Sequence, residues 1–72
     1  MRELDVLQKY LLETAWYELK KTEALMQENR IARAQENIQE ALRVYYSLPR
    51  WFTDEDWMAQ YDKLHRKLYT GV

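Results

Sequence analysis

The chain has 72 residues, of which 47% are hydrophobic and 14% aromatic, and its 11 basic and 12 acidic residues leave a net charge of -1 at pH 7. A chain this short forms one domain, residues 1–72, with a small stability margin. Without cysteine it can form no disulfide, zinc-thiolate site or thiol nucleophile. Interspersed charges of both signs argue against nucleic acid as a partner. We find no leader-like start and no apolar run long enough to span a bilayer, and therefore expect a cytoplasmic protein.

Helix one is predicted over residues 3–27. Apolar side chains recur there every three or four residues, which is typical of the buried face of an amphipathic helix. This stripe consists of Leu4, Leu7, Leu11, Ala15, Leu19, Thr22 and Met26. We expect it to face the core.

Helix two is predicted over residues 30–47. Its stripe has the same spacing but is displaced by about two residues, so one straight helix would carry the two stripes on different sides. The second stripe consists of Ile31, Ala34, Ile38, Ala41, Leu42, Tyr45 and Leu48. The displacement falls near Asn29, and Asn tolerates a left-handed backbone at a helix end. We predict an antiparallel hairpin; the alternative is one continuous helix of about 45 residues that would have to dimerise.

An elbow is predicted over residues 48–53. Pro49 has no amide proton and disfavours helical geometry in the residue before it, so helix two should end there. Thr53 and Asp56 have the spacing of a capping box, which indicates the start of a third helix over residues 54–69.

Helix three should pack back on the hairpin. Phe52 and Trp57 have the spacing of a hydrophobic staple across its first turn, and Gly71 is placed to cap its C-terminus. The predicted fold class is therefore all-α: a three-helix bundle made of a long antiparallel helical hairpin plus a shorter third helix.

Glu18 is the one charged residue in the middle of the helix-one apolar arc. A carboxylate in that position needs a partner unless it lies at the periphery. We expect a hydrogen bond to Tyr61 or an ion pair with an arginine such as Arg43.

Catalytic and metal-binding chemistry finds little support in the sequence. His65 is the only histidine, and a single Asp62-x-x-His65 pair supplies too few ligands for a metal. The acidic side chains of residues 54–56 are expected to stabilise the positive N-terminal end of the helix-three dipole. We therefore predict a non-enzymatic protein with no cofactor, no metal site and no evident small-molecule substrate.

The aromatic residues are the stronger functional lead. Tyr10 and Tyr17 lie, with Val6 and Ala24, on a second stripe of helix one about 100° round from the core stripe. Trp16 is expected on the opposite edge of that helix. Tyr and Trp left outside a core tend to anchor protein interfaces, because they bring a large area with few rotatable bonds.

Arg50 and Trp51 complete the set of candidate protein-binding residues. We expect them either to close the end of the bundle or to contact a partner. The predicted function is that of a small protein–protein interaction module, such as a regulator, adaptor or inhibitor, which binds another protein or itself as a homodimer. The alternative is a helical nucleic-acid-binding regulator that uses the basic end of helix three, Lys63, Arg66 and Lys67.

Overall fold

Three helices make up the fold in the computed structural model, which describes residues 2–70. They are α1 (Val6–Gln27), α2 (Ile31–Tyr45) and α3 (Glu55–Thr70). α1 and α2 pack against each other along their length as an antiparallel hairpin, and α3 packs back on both. The predicted three-helix bundle is confirmed, and the continuous-helix alternative is excluded. None of the helices within residues 2–70 is long and apolar enough to cross a membrane.

α1 begins at Val6, three residues later than predicted, because Asp5 and Gln8 form a capping box. The Gln8 amide donates to the Asp5 carboxylate at 2.7 Å, and the Asp5 amide donates to the Gln8 side-chain oxygen at 3.0 Å. These bonds satisfy two amides that the first helical turn leaves without partners.

Leu7, expected in the core stripe, is 69% exposed. α2 is the shorter arm of the hairpin and ends level with about residue 13 of α1 at 1.5 Å per residue. The first two turns of α1 therefore extend past the end of α2, but Leu4 and Leu11 still pack against the core. Leu7 is exposed because it lies at the edge of the stripe, about 80° round the helix from Ala15. Ile31, at the start of the α2 stripe, is also exposed.

The turn between α1 and α2 depends on Asn29, which has a left-handed backbone with φ of 61°. The Asn29 amide donates to the Met26 carbonyl at 3.0 Å, and the Arg30 amide donates to the Leu25 carbonyl at 2.9 Å. This pair of bonds is a Schellman motif, which satisfies the last carbonyls of α1 and reverses the chain.

Asp54, not Thr53, caps the N-terminus of α3. The Trp57 amide donates to Asp54 Oδ1 at 3.1 Å, so the predicted Thr53–Asp56 capping box is wrong. The helix begins one residue later because the Asp54 carboxylate has a further partner on α1. The indole N–H of Trp16 donates to Asp54 Oδ2 at 3.2 Å.

The elbow also differs from its prediction at both ends. α2 ends at Tyr45, and the amides of Ser47 and Leu48 donate to carbonyls three residues earlier, which continues the chain as tight turns up to Pro49. With Asp54 as the cap, Phe52 and Trp57 no longer have staple spacing, although Phe52 packs against the core. The predicted Gly71 cap lies outside the described residues.

The core is built around Trp57, the largest fully buried side chain. Its ring stacks on Tyr45 with centroids 4.2 Å apart and planes at 10°, and on Tyr61 at 5.5 Å and 11°. Its indole N–H has no hydrogen-bond partner among residues 2–70. Ten apolar residues form the buried cluster: Ala15, Leu19, Ala34, Ile38, Ala41, Tyr45, Leu48, Trp57, Leu64 and Leu68.

The prediction for Glu18 is wrong, because its backbone rather than its carboxylate makes the contact. Within residues 2–70 the carboxylate bonds to neither Tyr61 nor Arg43, and Arg43 instead lies 3.7 Å from Glu40. The Glu18 carbonyl accepts from Asn37 Nδ2 and from Thr22 Oγ1, both at 2.8 Å. This polar contact joins α1 to α2.

Replacing Asn29 tests the left-handed turn. We expect Asn29→Ala to lower the free energy of unfolding by about 1 kcal/mol, because a Cβ without a compensating polar group penalises positive φ. Asn29→Gly should change it by less than about 0.5 kcal/mol. Urea denaturation followed by circular dichroism measures the free energy of unfolding of both variants. Equal losses of stability would contradict a left-handed backbone at position 29.

Replacing Asp54 tests the position of the α3 cap. We expect Asp54→Ala to cost about 2 kcal/mol, because it removes the cap and leaves the Trp16 indole N–H without its acceptor. Thr53→Ala, one residue away, should cost less than about 0.5 kcal/mol. Chemical denaturation measures the free energy of unfolding of the two variants. A larger loss of stability for Thr53→Ala would indicate that Thr53 is the cap.

Candidate protein-binding surface

The outer side of α1 carries the tyrosine face, which we define as Val6, Tyr10, Tyr17 and Ala24. Val6 is 86% exposed, Tyr10 64% and Tyr17 61%. The buried residues of α1 are Ala15, Leu19 and Thr22. At about 100° per residue the tyrosine face lies nearly opposite these residues, further round the helix than the predicted displacement. α2 and α3 therefore leave it uncovered.

Trp16 is not a free edge. It is half-buried, and its indole N–H donates a hydrogen bond to the Asp54 carboxylate, directly before α3. Trp16 also lines a small cavity of about 170 Å³ with Leu19, Lys20, Glu23 and Gln60. Its main contact therefore joins α1 to the start of α3.

Trp51 and Arg50 lie together at the elbow, far from the tyrosine face in the sequence. The Trp51 ring is 41% exposed, meets Phe52 edge to face at 6.2 Å, and lies 5.7 Å from the Arg2 guanidinium, a cation–π distance. Arg50 is exposed. The two residues keep the accessibility that a partner contact needs.

A cavity of about 480 Å³ opens beside the elbow. Its lining is mostly apolar and aromatic: Tyr45, Tyr46, Leu48, Pro49, Arg50, Phe52, Thr53 and Met58. Such a lining suits an apolar side chain, and Arg50 adds a positive charge to it. Tyr46, 68% exposed, is a surface residue that the sequence prediction missed. Helical spacing puts it about 100° round from the buried Tyr45, and that spacing could have indicated its exposure.

Aromatic rings continue from Trp57 along one side of α3. His65 lies between Tyr61 and Tyr69, with ring centroids at 5.6 and 4.5 Å. Burial, and then the neighbouring Tyr46, Tyr69 and Asp62, raise the pKa of the Tyr61 hydroxyl. Among residues 2–70, no group of three histidine, aspartate or glutamate side chains could hold a metal ion.

The basic end of α3 is only partly available to an anion. Lys63, Arg66 and Lys67 line one shallow depression, which Asp62 shares. Arg66 lies 3.4 Å from the Asp62 carboxylate in an exposed ion pair. An acid within the group weakens the positive field that binding to phosphates requires.

Comparisons of the chain with protein-family models, with curated proteins and with solved structures give no match.

The raised pKa of Tyr61 predicts a loss of stability in alkali. Below about pH 10, the ordinary pKa of tyrosine, the hydroxyl is protonated in both folded and unfolded chains. As the pH rises above that value the unfolded chain ionises first, so the free energy of unfolding falls. We expect Tyr61→Phe to flatten this fall in thermal melts between about pH 9 and 11. The matched control is Tyr17→Phe, on the outer side of α1, and the same flattening in both variants would contradict the assignment to Tyr61.

Proposed function

We propose that this chain is a small non-enzymatic protein-binding module of the cytoplasm, a regulator, adaptor or inhibitor in type, which acts through the tyrosine face of α1. The observation that supports the proposal is the exposure of Tyr10 and Tyr17 on the side of α1 opposite the core. Exposed apolar rings gathered on one helix face bind well to another helix.

The composition of the face also supports a protein partner. Tyrosine buries a large apolar ring while its hydroxyl stays hydrogen-bonded at the rim of an interface. Arg50 and Trp51 at the elbow are a second candidate contact, and arginine and tryptophan are both frequent in residues that dominate binding energy. The elbow cavity beside Arg50 could accept one apolar side chain of a partner.

Binding of nucleic acid through Lys63, Arg66 and Lys67 stays a second candidate with weaker support. The three residues do lie in one depression, but Asp62 lies there too. A titration with duplex DNA at two salt concentrations distinguishes the two functions, because phosphate binding would weaken steeply as salt rises.

Photo-crosslinking in the native host tests the tyrosine face directly. With benzoylphenylalanine in place of Tyr17, we expect a covalent protein adduct on irradiation, because the probe would lie within an interface. Adding Tyr10→Ser to the same chain should lower the adduct yield several-fold, since it removes a neighbouring ring from the face.

The matched control carries the same probe in place of Glu36, an exposed residue of α2. Equal yields from positions 17 and 36, or a yield at position 17 that Tyr10→Ser does not change, would contradict a function of this face. Mass spectrometry of the adduct identifies the protein that the probe reached.

A further inference from the structure

We infer that the tyrosine face binds a second copy of this chain, with the two α1 helices antiparallel about a two-fold axis close to Tyr17. This inference rests on the proposed function and names its partner. The basis is the order of charges and of side-chain sizes along the exposed face.

The two charged residues nearest to Tyr17 along one flank of the face have opposite signs. Glu13 precedes it and Lys20 follows it. The two residues are seven apart, about two helical turns, and therefore lie on the same flank of the helix. Both are exposed, and neither is in an ion pair with another residue of the described chain. Each charge is thus free to meet an opposite charge from outside.

An antiparallel two-fold arrangement pairs these charges. With the axis at Tyr17, residues at equal distances before and after it come level across the interface. Glu13 of one copy is then within about one residue's rise, 1.5 Å, of the level of Lys20 of the other. The symmetry makes the same pair twice.

A parallel two-fold arrangement does not form these pairs. The flank that carries Glu13 and Lys20 in one copy would then lie on the opposite side of the interface from the same flank of its partner, and the two residues would differ in level by about 10 Å. The charge order therefore fits the antiparallel orientation.

Side-chain sizes agree with the same axis. Tyr10 and Ala24 are each seven residues from Tyr17, one on either side. Antiparallel pairing consequently places a large ring opposite a small side chain at both ends and brings the two Tyr17 rings together at the centre. A large residue facing a small one lets two helices pack closely.

Charge reversal followed by sedimentation equilibrium tests the pairing. The wild-type protein, from about 10 μM to 1 mM, should be in a monomer–dimer equilibrium. Glu13→Lys alone and Lys20→Glu alone should each raise the dimer dissociation constant roughly tenfold, because each change turns two attractive pairs into two repulsive ones. The double variant, and an equimolar mixture of the two single variants, should regain the wild-type value.

Glu36→Lys is the matched control, with the same charge change on the exposed surface of α2. It should leave the dissociation constant unchanged. Circular dichroism of every variant checks that the helices persist. A wild-type chain that stays monomeric to 1 mM, or a dimer that the single reversals do not weaken, would overturn the antiparallel pairing.

The crosslinking experiment separates this inference from the proposed function. An adduct at position 17 with twice the mass of the chain supports both. An adduct with a different polypeptide supports the proposed function and overturns self-pairing.

Discussion

Asp54 joins all three helices at one point, and the position of α3 on the hairpin depends on it. One carboxylate oxygen caps α3 at Trp57, and the other accepts from the indole of Trp16 on α1. The Asp54 amide donates to the Tyr45 hydroxyl on α2 at 2.8 Å. Because a small domain has few apolar contacts to spare, this set of three bonds decides where α3 begins and how it lies on the hairpin.

The same bonds position the aromatic core. Once Asp54 holds the first turn of α3, Trp57 lies buried between Tyr45 and Tyr61. Its indole N–H has no hydrogen-bond partner within residues 2–70, which costs stability, and the two stacked contacts offset part of that cost. α2 contacts α1 through Asn37 at one edge of the buried side of α1, and the start of α3 contacts α1 through Asp54 at the other edge of that side. Two helices on one side of α1 leave its other side to solvent, which is why the tyrosine face is exposed.

Much of the fold could be predicted because its signals are local. The displacement between the two apolar stripes indicated the hairpin, and Asn29 with its left-handed backbone lies in that turn. The capping box of Asp5 and Gln8 was equally local, and its spacing could have placed the start of α1 correctly. The cap of α3 could not be placed this way, because Thr53 and Asp54 are both good caps and the choice depends on Trp16, 38 residues away from Asp54.

The sequence by itself determined the helices and their order. It also showed that the chain has more aromatic residues than one small core can bury. These properties follow from periodicity and from backbone preferences, which act over a few residues. Only the tertiary structure decided which aromatic residues stay outside. Trp16 and Trp57 are drawn inward by contacts between helices, whereas Tyr10 and Tyr17 remain exposed. Burial depends on which neighbours arrive from distant parts of the chain, and helical spacing cannot specify those neighbours.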